Sequence, residues 1–169
     1  MKINLNVDLH HLPRVEGHGN IHIKVRDGKL LRAAWEVVET PRYFEVMLKG
    51  LHHDSAAQLT ARICGICSIG HALCSLRATE DALGVTIPPQ AARLRLLAKH
   101  GETLGSHLLH VFFLAAPDLL GLPSVLPLLE KDPQLVALVA RLKGLGNRVA
   151  ALVAGRVTDP VSLQVGGVA

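Results

Sequence analysis

Ten consecutive residues hold the densest chemistry in this sequence: Arg62-Ile63-Cys64-Gly65-Ile66-Cys67-Ser68-Ile69-Gly70-His71. Two cysteines three positions apart on a turn can present both sulfurs to one ion. Thiolates select soft or borderline metals, among them zinc, iron, copper(I) and nickel in a sulfur site. His71 lies four residues after Cys67 and can either ligate the same ion or hydrogen-bond a sulfur from behind. Arg62 adds positive charge that favours thiolate over thiol. Cys74, three residues after His71, reads as a buried small hydrophobe rather than a ligand. A structural zinc needs four ligands; here Cys64, Cys67, His71 and Cys74 would have to crowd around one turn. A thioredoxin-like disulfide calls for the cysteine pair after a strand in a βαβ unit, and no such pattern is present. Three cysteines clustered within eleven residues do not make a disulfide framework. Spacing alone points to metal binding.

The flanking sequence indicates what positions this segment. Met1 to His11 alternates polar and apolar residues, with no apolar core of a leader peptide. Asn20–Arg26 alternates Ile21, Ile23 and Val25 with His22 and Lys24, the pattern of a half-buried strand. Asp27-Gly28 is a hairpin turn, and Lys29–Val38 is the returning strand with Trp35 as its large anchor. A short helix opens at Pro41 and runs through Met47 to Gly50. A second, Ser55–Arg62, takes Asp54 as N-cap. Gly70–Leu83 is predicted helical, stopped by Gly84. A long helix is predicted from about Gln90 to Ala116, ended by Pro117, with Leu94, Leu97, Leu104, Leu108, Val111 and Phe112 near a 3.6 period. Gly101 and Gly105 within it weaken it or permit a close helix crossing. Leu119–Leu129 reads as a buried, proline-broken link. Asp132-Pro133 starts a last helix running to about Ala154, and residues 155–169 carry no strong periodicity. The fold class is therefore α+β and mainly helical: a β-rich segment over residues 1–40, then a helical bundle over 41–169 carrying the cysteine motif.

Composition narrows the class. The chain has 169 residues, 49% hydrophobic and 19% charged, which excludes disorder. Aromatics make up only 3%, so the core must be aliphatic. The net charge of +4 is scattered without a Lys/Arg stripe, so no nucleic-acid partner is indicated. Charges and prolines interrupt the apolar stretches Leu108–Leu129 and Leu135–Gly155, so neither is a membrane span. The expected location is cytoplasmic.

Several segments together carry a family likeness. Arg62–His71 resembles the first cysteine motif of nickel–iron hydrogenase large subunits, Arg-x-Cys-Gly-x-Cys-x-x-x-His. Pro13–Gly19 resembles that family's Arg-Ile/Val-Glu-Gly-His signature. Tyr43–Gly50 resembles its Arg-Gly-Phe-Glu-x-x-Leu-x-Gly segment. His107–Leu120, including Phe112–Asp118, looks like the soluble cytoplasmic branch that reduces nicotinamide or deazaflavin cofactors or serves heterodisulfide reductase. The matches run in order from near residue 12 to near residue 167.

The resemblance implies reversible heterolytic oxidation of dihydrogen at a nickel–iron centre whose iron carries carbon monoxide and cyanide. It assigns Cys64 as a terminal nickel ligand, Cys67 as a ligand bridging nickel and iron, and His71 as a hydrogen-bond donor to the bridging sulfur. Glu16 becomes a proton relay between a nickel-bound thiolate and solvent. Glu45 becomes a ligand of magnesium or a similar hard cation. The implied partners are a small subunit with iron–sulfur clusters and further electron-acceptor subunits. Two departures stand out. The family's second cysteine pair, Asp-Pro-Cys-x-x-Cys-x-x-His, does not occur in these 169 residues, and Asp159-Pro160-Val161 has Asp where the family usually has His. The expectation is a split large subunit completed by a second chain or segment, or a shortened product. The alternative is a non-catalytic paralogue, structural or electron-transferring, that holds zinc.

Overall fold

In the computed structural model, residues 3–169 are described; Met1 and Lys2, where the N-terminal alternation begins, lie outside them. The chain divides into two compact units, residues 1–43 and 44–169.

The first unit is a three-stranded antiparallel sheet, β1 (Leu5–Leu9), β2 (Gly19–Arg26) and β3 (Lys29–Val37), in that order. Asp27 and Gly28 both have positive φ, 51° and 76°, as a two-residue hairpin following the strand twist demands. Cross-strand register puts the rows Leu9–Ile21–Trp35 and Val7–Ile23–Ala33 on one face. On the other, His22 meets Asp8 and Glu36 at 2.7 and 3.2 Å. Trp35 is a weaker anchor than the sequence suggests. Its ring occupies the space beside Gly19, where a Cβ would collide with it, yet half of the residue stays exposed.

The second unit is helical. α1 (Pro41–Leu48) ends before Gly50, whose φ is 79°. α2 spans His53–Ala61, so Asp54 lies in its first turn and not at the cap. Its carboxylate instead meets His52 Nδ1 and His53 Nε2 at 3.1 and 3.3 Å, and the capping residue His52 makes no side-chain cap bond. α3 (Ser68–Leu83) buries Ser68, Ile69, Ala72, Leu76 and Glu80, and ends at Gly84 in the left-handed region. That stripe turns Cys74 to the opposite face, where it is exposed and not the buried hydrophobe expected.

α4 (Pro89–Leu109) corrects the expectation most. It buries Ala91, Arg95, Ala98, Gly101, Glu102 and Gly105, while Leu97 and Leu104 stay about two-fifths exposed. The reason is its partner, α7 (Pro133–Ala154), which crosses it nearly backbone to backbone. A Cβ on Gly101 would stand 2.7 Å from Ala150 N and 2.8 Å from Gly146 O. Small residues fit such a seam, which leaves the leucine stripe only partly buried: Leu94 packs against the core while Leu97 and Leu104 look outward. The helix also does not stop at Pro117. It widens into a π-helical stretch, His110–Ala115, and continues as α5 (Ala116–Leu119). The wider turn fits a proline, which offers no N–H and would crowd the carbonyl four residues back in a regular helix.

The proline-broken link that follows is largely exposed, not buried. Leu128, on α6 (Leu126–Lys131), is its buried leucine, and Leu119, Leu120 and Leu126 face outward. Asp132 caps α7 as the sequence predicts, accepting from Leu135 N at 2.9 Å. Residues 155–169, which carry no strong periodicity, contain a minimal hairpin, β4 (Leu163–Gln164) with β5 (Gly167–Val168). Long-range bonds hold it in place. Arg95, buried, grips Glu80 at 2.6 and 2.9 Å and donates to the Gln164 and Gly167 carbonyls. Glu80 in turn accepts from Gly166 N. The core under α2, α3, α4 and α7 is built of Ala57, Ala61, Ile69, Ala72, Leu76, Ala98, Ala150, Val153 and Ala154 with Leu163. Among the described residues no helix is long and apolar enough to cross a membrane.

Candidate metal centre

The cysteine motif forms the turn between α2 and α3. Cys64 is buried at 5% exposure, and Cys67 is the N-cap residue of α3. The turn closes on itself, with Cys67 N donating to Cys64 Sγ at 3.2 Å. The two Cα atoms are 5.5 Å apart and the sulfurs are joined as a disulfide, a local bridge within the turn. Their separation follows from the turn itself, which brings both sulfurs to one point. His71 sits one helical turn on, its own N–H bonded to Cys67 O. One ring nitrogen of His71 and both sulfurs lie within 4.8 Å of one another. In the reduced state this set offers two thiolates and an imidazole to a single point, a donor chemistry that fits a soft or borderline metal. It supplies two of the four thiolates that the resemblance implies.

The turn is pinned from two sides by residues far away in sequence. From α4, the Glu102 carboxylate accepts from Ile69 N at 2.7 Å and Gly70 N at 3.2 Å, and pairs with Lys99 at 2.5 Å. From the C-terminal segment, Thr158 Oγ1 donates to Gly65 O and Asp159 N donates to Ser68 Oγ, each at 3.2 Å. Asp159, with φ at 54°, also meets the Arg62 guanidinium at 3.3 Å. The residue that departs from the family pattern thus balances the motif's own arginine. Sequence reading missed Glu102 and Thr158. The available signals were a carboxylate beside Gly101 on a helix's buried face and a Thr-Asp-Pro turn. A cleft of about 150 Å³ opens beside the turn, bounded by Gly65, Glu102, Ser106, Lys143, Asn147 and Thr158.

The remaining predicted residues stand apart from this cluster in character. Glu16 is exposed in the loop before β2, within the first unit, next to Gly17 with φ at 83°. In that loop His18 Nδ1 meets Glu39 Oε1 at 3.0 Å. Glu45 is exposed on α1. Neither belongs to a group of three donors among the described residues, where the second such group is the exposed His52, His53 and Asp54. The structure therefore gathers Cys64, Cys67 and His71, sets Arg62 at their edge, and leaves Glu45 on the surface.

Comparison with known proteins agrees with this architecture. Residues 42–163 match the pattern of the nickel-dependent hydrogenases. The chain is 37% identical over 161 residues to the sulfhydrogenase 2 subunit alpha of Pyrococcus furiosus, covering 95% of this chain and 39% of that one. It is 34% identical to the NAD-reducing hydrogenase HoxS subunit beta of Cupriavidus necator, covering 92% and 34%. Among solved structures, an NAD+-reducing NiFe-hydrogenase in the H2-reduced state superposes with a TM-score of 0.81 at 32% identity, over 99% of this chain and 39% of that one. The chain spans about two fifths of the length of the curated relatives it matches. It belongs to the nickel-dependent hydrogenase family, matching the N-terminal part of the large subunit.

Proposed function

We propose that this chain provides the first cysteine pair of a nickel–iron centre that carries out the reversible heterolytic oxidation of dihydrogen. The observation that carries the proposal is the convergence of a buried Cys64 with Cys67 and His71 at one turn in a chain of this family. Cys64 Sγ would hold nickel as a terminal ligand and Cys67 Sγ would be the ligand shared with iron, whose further ligands would be carbon monoxide and cyanide. When bound, the metal pair supplies the electrophile for the hydride. The proton needs a base: a thiolate of the site holds it first, and the Glu16 carboxylate passes it to solvent. His71 hydrogen-bonds the shared sulfur and holds its orientation. Arg62 favours the thiolate forms while Asp159 tempers its charge. Glu45 is the carboxylate for magnesium or a similar hard cation.

The second cysteine pair comes from another chain or segment. Electrons leave through a small subunit with iron–sulfur clusters to further acceptor subunits. Outward-facing leucines, among them Leu97, Leu104 and Leu152, suit a chain that packs against such partners. The location we infer is cytoplasmic, in line with the cofactor-reducing branch that His107–Leu120 resembles. The test is metal analysis with infrared spectroscopy of the native complex. Nickel, iron and bands from bound carbon monoxide and cyanide are expected; absence of both metals and bands overturns the proposal. Glu16→Gln should suppress hydrogen–deuterium exchange with metal content intact, and unchanged exchange removes the relay role.

A further inference from the structure

Glu102 is a buried carboxylate that the proposed chemistry does not use. It is 7% exposed, and polar partners converge on its carboxylate. Its two oxygens take the free N–H groups of Ile69 and Gly70 at the start of α3, immediately after Cys67. Those are two of the orphan donors every helix leaves at its N-terminus, and α3 has no side-chain cap from its own sequence. The cap is imported from α4, 32 and 33 residues away. Gly70 eases the approach, because a Cβ there would lie 3.0 Å from Lys99 Nζ and 3.4 Å from Glu102 Oε2 and would push both back by a few tenths of an ångström. Lys99, two-fifths exposed, pairs with the inner carboxylate from the solvent side. Glu102 also bounds the cleft beside the turn, so without it the start of α3 would have open space to move into.

We propose that Glu102 is a positioning residue for the metal-binding turn: by holding the first N–H groups of α3 it sets Cys67 and His71 at one distance from Cys64. This rests on the metal-centre proposal for its consequence, but the positioning itself does not require a metal. Three features of the geometry favour it over a general stabilising role. The bonds end on Ile69 and Gly70, two of the three residues between Cys67 and His71. The ion pair is local, Lys99 to Glu102 on the same helix. And the fold has a separate buried clamp, Arg95 with Glu80, to hold its tail.

The test compares Glu102→Ala, Glu102→Gln and, as a reference, Glu80→Ala in the native complex. Amide hydrogen exchange over residues 62–71 is the first readout. Glu102→Ala should speed it at least about tenfold while α7 keeps its protection. Glu102→Gln, which keeps an acceptor oxygen, should restore most of it. Glu80→Ala should loosen residues 163–168 and spare 62–71. Nickel and iron content is the second readout. Loss of an outer partner of a ligand set costs about 10–100-fold in metal affinity, so Glu102→Ala should lower the metal retained by about tenfold and shift the infrared bands of what remains. Exchange over 62–71 that is unchanged, or raised equally across the fold, overturns the inference. Faster exchange confined to 62–71 in a complex whose wild type holds neither metal upholds the positioning and instead overturns the metal-centre proposal.

Discussion

The α4–α7 seam yields a prediction with two opposite signs. Gly101→Ala adds a methyl group 2.7 Å from Ala150 N and 2.8 Å from Gly146 O, both backbone atoms. Neither can rotate out of the way, so the helices must separate by several tenths of an ångström. Overpacking of this kind costs about 1–3 kcal/mol. Against it stands the gain of replacing glycine inside a helix, about 1 kcal/mol. Because the obstacle is backbone on both sides, the upper end applies, and the net loss should be about 2 kcal/mol. For a chain of this size that lowers the melting temperature by about 4–8 °C. Gly144→Ala, on the same helix as Gly146, provides the reverse case. Its Cβ would meet Arg148 Nη1 at 3.6 Å, an ordinary contact with the end of a flexible side chain. Nothing opposes the helix-propensity gain there, so stability should rise by up to about 1 kcal/mol. Urea unfolding followed by far-ultraviolet circular dichroism measures both. A Gly101→Ala protein as stable as the wild type, or a destabilised Gly144→Ala protein, would refute the close-crossing account. Gly101→Ala should also displace the adjacent Glu102, so faster exchange over residues 62–71 should accompany the lost stability.

Glu80 offers a pH test. The Arg95 guanidinium holds its carboxyl below the ordinary value of 4.5, helped by the Gly166 N–H and opposed by burial. Its contribution is therefore complete above pH 4.5 and is lost as pH falls through the lowered value. Glu80→Gln leaves Arg95 buried without its counter-charge, which should cost about 3 kcal/mol at neutral pH and remove that acid-side slope; a variant with the full wild-type acid slope contradicts the assignment. His22 behaves oppositely. Its bond to Asp8, seconded by Glu36, raises its pKa above 6.5. The stability it lends the sheet is complete below pH 6.5 and lost as pH rises through the raised value. Fluorescence of Trp35, the chain's one tryptophan, should show this slope in wild type and a flat response in His22→Gln.

The parts of this fold legible in sequence are those decided within a few residues. The Asp27-Gly28 hairpin, the Gly84 stop and the Asp132-Pro133 start each follow from local backbone preference and appear where expected. Burial is less legible than backbone. Periodicity predicted a leucine face for the long helix, but a helix surface is buried by whatever approaches it, and α7 approaches the glycines. Pro117 signals a stop in sequence because the widening to a π-turn depends on packing beyond the local residues. Residue type predicts a buried Cys74, yet the stripe of α3 facing the core runs through Ala72 and Leu76.

The same division runs through the candidate site. The spacing of Cys64, Cys67 and His71 makes it possible for two sulfurs and an imidazole to meet, because a four-residue turn leading into a helix sets all three within one helical turn of each other. That spacing also carried the family likeness. What holds the turn in place was decided only in three dimensions, by Glu102 on α4 and by Thr158 and Asp159 at the far end of the chain. Those bonds span about 30 to 90 residues, and no local preference can encode a partner at that distance. Close packing of α4 on α7 brings the carboxylate beneath α3, and the Glu80–Arg95 pair anchors the tail hairpin beyond Thr158 and Asp159.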